Sequence, residues 1–471
     1  MKSKKRLLLL SDDMRIPSGV GTMSHSLITG TAHKYDWVQI GGAVKHPDKG
    51  KIFDLSKDIN NTLGIDNAYV KIYPVDGYGN EEILREVMEL EGTFDGIVHF
   101  TDPRFWQWLY NMEHELRQNI PLMYYNIWDD LPFPHWNEPF YESCDLLMAI
   151  SKQTYNINKH VCVNKPRVEG VDLTYVPHGI DENIFKPVDS LSAEILEFKE
   201  QVDRNNADFI ALFNSRNIHR KRTSDLILGY TKMCDSLSEE EAKKCLLILH
   251  TDPVDNHGTD LPALVNALCP YPVAFSSQKL SPEMLNYLYN ISDVTCNPSS
   301  AEGFGLSHME SLMAGTPTIT TVVGGLQDQM GFTVTDKDGD REMNVTDFSA
   351  EVPSNSTGMI SKECGSWTYP LWPQLNLQGS PVTPYIYDSR PSIKSIEEGL
   401  KHWYNLGREE CKKRGLKGRE WAIKNGFTKA SMCEEFSKSI DKCFDNFVAR
   451  EKYVIIDTGE KQPEIKRGIL V

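Results

Sequence analysis

The sequence holds ten cysteines but no Cys-x-x-Cys pair, which excludes the zinc and dithiol sites built on that spacing. Long apolar runs are missing too. The run near the start, Leu7 to Leu10, breaks at Ser11-Asp12-Asp13 and is shorter than a signal-peptide core. No stretch approaches the roughly 18 apolar residues of a membrane span. The cationic residues Lys2, Lys4, Lys5 and Arg6 lack the amphipathic helix that lipid attachment needs. These absences lead us to expect a reducing cytoplasm, with thiols mostly free and buried. Positive charge is scarce as well: 50 Lys and Arg against 66 Asp and Glu leave −16. That balance disfavours a phosphate-tracking surface, so a basic patch is at most local, as at Arg216 to Arg222. Internal repeats and low-complexity tracts are absent.

What is present is ordinary globular composition, 40% hydrophobic over 471 residues, long enough for roughly two or three domains. Continuous apolar segments recur at Arg6 to Leu10, Trp37 to Ile40, Gly96 to Phe100, Leu122 to Tyr125 and Leu146 to Ile150. Such unbroken apolarity predicts parallel strands covered on both faces. Helical patterns lie between them, as at Glu81 to Leu90, where Ile83, Leu84, Val87 and Leu90 share one face. A second set follows at Phe209 to Phe213, Cys245 to Leu249, Val273 to Phe275, Val294 to Cys296 and Thr318 to Thr321. This is βαβ alternation in two α/β halves joined near residue 190. We therefore expect domains over 1–190 and 191–428, with a terminal helix and tail over 429–471. Residues 333–390, rich in Pro, Gly, Ser and aromatics, read as a loop insertion, a lid or acceptor-loop candidate. Helices are expected at Ser392 to Leu406, Cys411 to Asn425 and Ala430 to Phe447, and partial disorder from Tyr453.

The segment Pro298 to Pro317 carries the most chemistry. It follows a strand and opens a helix at about Leu306. Gly303 and Gly305 let the backbone approach a ligand, and the helix start offers amides to an anion. A phosphate site is the physical reading. Glu302 in the loop and Glu310 in the helix could meet sugar and ribose hydroxyls respectively.

This segment resembles the E-x7-E signature of family-4 type glycosyltransferases, which have the GT-B fold. The resemblance extends in order through Tyr175-Val-Pro-His-Gly-Ile-Asp181, Phe213 to Arg216 with Lys221, Ser276 to Asp293, and Gly324-Gly325. It implies two Rossmann-like domains facing across a cleft, with the last helices returning to the first domain. It further implies transfer of a sugar from a nucleotide sugar to an acceptor hydroxyl, with retained configuration and no metal. Arg216 and Lys221 would then clamp the departing diphosphate with Glu302 beside them. Gln278, Lys279 and Leu280 would border the nucleobase and Glu310 the ribose. Glu302 and the amides of Phe304, Gly305 and Leu306 would face the sugar and its phosphate. No cofactor is expected beyond the donor, and UDP, GDP and ADP remain open. Asp129-Asp130 and Asp336-Lys-Asp338 are only imitations of a metal-binding D-x-D.

On the first half, Gly19-Val-Gly21 is a weak dinucleotide fingerprint, lacking its third glycine. Within the family pattern it becomes a loop approaching the donor phosphate or the acceptor. His99 ends a strand on the cleft side, as either a functional or a packing residue. Relatives carry a His pair at the end of the next strand where this chain has Tyr125 to Asp130. Trp128 is expected in that place, with Asp129, Asp130 or His135 taking the polar role, and the aromatics around them suit stacking on a sugar. The acceptor could be a glycan, a small molecule or a modified base in viral DNA. An epimerase, a phosphorylase and a non-catalytic binding module compete.

Overall fold

The computed structural model describes residues 4–162, 173–188, 193–203 and 206–450. Lys2, the expected junction near residue 190 and the tail from Tyr453 lie outside them. The first sheet contains β1 (Lys5–Asp12), β2 (Tyr35–Ala43), β3 (Phe53–Asp54), β4 (Val70–Asp76), β5 (Gly96–Phe100), β6 (Leu122–Asn126), β7 (Leu146–Ala149) and β8 (Leu173–Tyr175). Their order is β3-β4-β2-β1-β5-β6-β7-β8. All neighbours are parallel except β3, which runs antiparallel to β4. Leu7 to Leu10 are buried on β1, as a strand covered on both faces requires.

The second sheet contains β9 (Phe209–Asn214), β10 (Cys245–His250), β11 (Val273–Ser276), β12 (Val294–Asn297) and β13 (Thr318–Thr321). It is extended by β16 (Thr368–Leu371) at its edge, while β14 (Thr333–Asp336) and β15 (Gly339–Glu342) form a separate antiparallel ribbon. The order β11-β10-β9-β12-β13-β16 is parallel throughout. The stretch 333–390 is thus not all loop. Besides β14 to β16 it builds a long antiparallel hairpin, β17 (Pro373–Ser380) and β18 (Thr383–Pro391). The strands escape a reading by apolarity because β17 is exposed along nearly its whole length.

In each sheet the strand order reverses beside the first strand: β2 lies on one side of β1 and β5 on the other, and likewise β10 and β12 flank β9. In open α/β sheets such a switch point leaves a crevice at the carboxyl ends of the strands. The helix α1 (Gly19–Thr31) begins there, its start capped by Ser18, whose hydroxyl accepts from the Gly21 amide at 2.9 Å. A side chain on Gly21 would strike the Ile16 carbonyl, so this turn needs glycine. In the second half α2 (Leu306–Met313) starts at the corresponding place with Gly305 at φ 90° as its cap.

The helical region after β18 forms α3 (Ile393–Lys424), one element broken at Gly407, whose φ is 76°. Then α4 (Lys429–Asn446) runs back to the first domain. Phe436 is buried there against Trp37, with ring centres 6.3 Å apart. The Tyr35 hydroxyl donates to Asp441 at 2.7 Å, and a side chain on Gly30 would collide with Cys433. The ten cysteines form no disulfide and nine are buried. No helix among the described residues is long and apolar enough to cross a membrane.

Candidate functional site

The carboxyl ends of the two sheets face each other across a cleft of about 990 Å³. From the first domain it is lined by Asp12, the turn Ser18-Gly19, Arg104, Trp128, Asp129, Asp130 and His178; from the second by Arg216, Arg220, Lys221, the loop 301–307 and Glu310. The domains approach closely at Gly19, where an added Cβ would lie 3.5 Å from Leu306.

The loop 301–305 is shaped by neighbours that leave no room for side chains. A side chain on Gly303 would meet Ile150 at 2.9 Å and one on Gly305 would strike Leu326. Gly324 and Gly325 lie directly beneath, and the Gly325 amide donates to the Glu302 carbonyl at 3.0 Å. Glycine at these positions lets two backbone segments stack and directs the start of α2 into the cleft without a side-chain cap. Uncapped amides at a helix start form an anion site.

Lys221 is 9% exposed and pairs with Glu302, itself 13% exposed. Arg220 reaches the same carboxylate at 3.3 Å and donates to the Ala301 carbonyl at 2.5 Å. Burial works against both charges of the pair. Facing two cations, Glu302 nonetheless stays below the usual carboxylate range. The Lys221 ammonium is pulled below the ordinary lysine value, because burial, with Arg220 alongside, outweighs Glu302. A cation held extended yet poorly solvated is primed to gain from an arriving phosphate.

Arg216 sits differently. It lines the cleft, but its side chain is 60% exposed and Nε is held by Asp255 at 3.0 Å, away from Glu302. Arg220, one residue from Lys221, is the arginine that the fold brings to the loop. Sequence reasoning missed it because the run His219-Arg220-Lys221 is a short 3-10 turn, which swings Arg220 inward as spacing in an extended loop would not suggest.

Glu310 accepts from the Tyr289 hydroxyl at 2.7 Å, and Tyr289 in turn accepts from Asn214 at 2.7 Å. Burial pushes the Glu310 carboxyl up to about 7, against the Tyr289 hydrogen bond. The residues expected at the nucleobase lie further out: Gln278 and Lys279 are exposed and Leu280 is half-buried on the loop after β11, none of them lining the cleft.

The acceptor-side candidates divide. His99 is fully buried, bonded to the Tyr110 hydroxyl at 2.8 Å and to Thr101 at 3.2 Å, and stacked 5.0 Å from Tyr124. Burial lowers it to about 3, so it packs beneath the cleft as a neutral ring. His135 is exposed on a turn outside the lining residues. Trp128 does line the cleft, its indole donating to the Asp130 carbonyl at 2.8 Å with Arg104 over its ring. Asp129 and Asp130 line it too, both raised, first by burial and then by repulsion from neighbouring carboxylates. His178, to which the sequence assigned no role, lines the cleft as well: its Nδ1 lies 2.9 Å from the Tyr125 hydroxyl and its ring 5.2 Å from that of Phe304. Burial holds it neutral, near 3.

The hairpin β17-β18 reaches over to the first domain and closes one end of this cleft. Arg104 donates to the Val382 carbonyl at 2.6 Å and to Thr383 at 2.7 Å, and the Tyr387 amide donates to the Leu131 carbonyl at 2.7 Å. Its return strand grips the second domain through Asp388 with Arg222 and through Arg390 with Asp225, at 2.6 and 2.8 Å.

Residues 273–336 match the family model "Glycosyl transferases group 1". A mannosylfructose-phosphate synthase of Agrobacterium fabrum is 25% identical over 190 residues, 40% of this chain and 39% of that protein. The chain therefore spans about two-fifths of the length of this curated relative. Among solved structures, a glycosyltransferase of Rickettsia africae superposes with TM-score 0.63 over 94% of this chain and all of that one, at 14% identity. An Anabaena protein solved in complex with UDP and glucose gives 0.60 over 93% of this chain and all of that one, at 13%. At those identities the likeness is one of fold. The chain has the two-domain GT-B architecture, and over residues 273–336 it resembles the group 1 glycosyltransferases.

Proposed function

We propose that the protein is a metal-independent glycosyltransferase that moves a sugar from a nucleoside diphosphate sugar to an acceptor hydroxyl with retained configuration. The observation that carries this reading is the joining of Arg220, Lys221 and Glu302 to the uncapped start of α2, on one wall of a cleft whose other wall is Gly19. The donor's diphosphate lies against the amides of Gly305 and Leu306, with Lys221 and Arg220 on its oxygens. Arg216 joins them by leaving Asp255. Glu310 takes the ribose hydroxyls, and the base extends outward from the cleft toward the loop Gln278 to Leu280. Glu302, released from Lys221 by the phosphate, meets the sugar.

In the transfer step the bond from the anomeric carbon to the diphosphate oxygen breaks and a bond to the acceptor oxygen forms on the same face. The acceptor's proton passes to the departing diphosphate oxygen. The cations and amides that stabilise the leaving group do the work a metal would otherwise do. The Anabaena neighbour, solved in complex with UDP and glucose, supports a nucleotide-sugar donor.

Lys221→Ala and Glu302→Ala test the reading, assayed by release of nucleoside diphosphate from a panel of nucleotide sugars. Each is expected to lower transfer and donor hydrolysis by about 10²-fold or more, the usual effect of removing one stabilising donor at a developing charge. Wild-type rates in both variants refute it.

A further inference from the structure

Beside the main cleft lies a second cavity of about 180 Å³. Asp129, Asp130 and Gln153 of the first domain form one wall, and Ser354, Thr357 and Tyr387 of the second form the other. It exists only because the stretch 351–359 and the hairpin β17-β18 lean across onto the first domain. Asp129 and Asp130 line this cavity and the main cleft alike, so a molecule seated here presents one edge to the place where the donor sugar lies. An apolar void of about 150 Å³ admits a benzene ring, and this cavity is of the size for one six-membered ring.

The chemistry of the walls is one-sided. Hydroxyls and carboxylates predominate among the polar groups, and the lining residues include no lysine, arginine or histidine. No other described residue donates a hydrogen bond to the carboxylate of Asp129 or Asp130, so both have lone pairs free for a ligand's hydroxyls. The nearest arginine on this side, Arg104, is already committed. Its Nε and one terminal nitrogen hold Asp102 at 2.9 and 2.5 Å, and its other terminal nitrogen holds the Val382 carbonyl and Thr383. The cations across the cleft, Arg220 and Lys221, are on Glu302.

We infer that this cavity is the acceptor subsite and that it takes an uncharged, hydroxyl-bearing ring in preference to a phosphorylated one. The inference rests on the glycosyltransferase reading and adds the acceptor class to it. A ring hydroxyl placed between Asp129 and Asp130 finds hydrogen-bonding carboxyl oxygens on both sides, whereas a phosphate dianion meets acidic walls, and the cations that act on these carboxyls from across the cleft, Arg220 and Lys221, are held by Glu302. The ring can be a free sugar or polyol, or one carried on a larger molecule; both offer the same chemistry.

The test uses the full chain with whichever nucleotide sugar stabilises it most against heat. Release of nucleoside diphosphate is followed with matched pairs: glucose and glucose 6-phosphate, myo-inositol and its monophosphate. Methyl glucoside, maltotriose and the nucleoside of 5-hydroxymethylcytosine separate free rings from carried ones. An uncharged probe is expected to accelerate release at least tenfold more than any monophosphate. Thr357→Lys, an exposed rim position, is expected to raise the response to the monophosphates about tenfold. A monophosphate that equals or exceeds its parent, or no response from any uncharged probe, overturns the inference. Absence of donor hydrolysis and of thermal stabilisation by every nucleotide sugar instead overturns the glycosyltransferase reading on which it stands.

Discussion

Glu310 shows how one buried side chain can set the pH response of the site. Its carboxyl ordinarily titrates at 4.5 and in the fold is raised to about 7. For an acid shifted upward the folded state favours the protonated form. The stability this contributes is therefore complete below about 4.5 and is lost as pH rises through about 7. In the proposed function donor binding runs the opposite way, because ribose hydroxyls facing Glu310 need the ionised carboxylate as acceptor. Affinity for a nucleotide sugar, whose diphosphate has no ionisation near neutrality, is expected to rise roughly tenfold between about pH 6 and about pH 8. In Glu310→Gln it should be flat and near the low-pH value. Calorimetric titration across that range checks both.

Residue chemistry also explains which site positions were legible. Glu302, Gly303, Gly305 and Glu310 share a short loop and the first two turns of one helix, so local sequence determines their spacing and they converge in the cleft. Arg216 is expected from the family pattern and His99 from its place near a strand's end, yet neither ground says where a side chain turns. Asp255 draws Arg216 outward, and Tyr110 and Thr101 hold His99 inside.

At the scale of elements, the hairpin β17-β18 is the feature that apolar patterning could not reveal. Its first strand lies mostly in solvent and its second is largely half-buried, so no continuous buried stripe marks them, and cross-strand pairing and contacts with another domain hold them. The hairpin spans from Arg104 and Leu131 on the acceptor wall to Arg222 and Asp225 beside the cationic turn. If the proposed function holds, an element so placed positions the acceptor without touching the donor's diphosphate. Replacing 376–388 by a short Gly-Ser turn is expected to cut transfer by about tenfold or more through lost positioning. Donor hydrolysis and stabilisation by the nucleotide sugar should stay within about threefold of wild type. Parallel assays of transfer and hydrolysis measure the split.

For the whole molecule, the chain closes on itself. The helix α4, which follows the second domain in sequence, completes the core of the first: Phe436 is fully buried among Trp37, Tyr125 and neighbouring apolar groups. Two sheets that meet only across a polar cleft would be free to move apart. A helix shared between them limits that motion while leaving the cleft open. Truncating a buried phenylalanine costs the transfer free energy of the ring and leaves a cavity. Phe436→Ala is therefore expected to lose about 3–5 kcal/mol in denaturant unfolding, with the first domain melting earlier.

Sequence alone determined the main buried strands and the helices between them, because a strand buried on both faces must be apolar throughout and a crossover helix must separate it from the next; the order of the strands in each sheet came only with the tertiary structure. It also determined the glycine-rich helix start, whose backbone geometry is local. Tertiary structure decided everything that depends on what a side chain meets across space. It chose Arg220 over Arg216 as partner of Glu302, sent His99 into the core, brought His178 to the cleft, and folded the insertion over Asp129 and Asp130. Those outcomes follow from contacts between residues tens or hundreds of positions apart, whose energies no local spacing encodes.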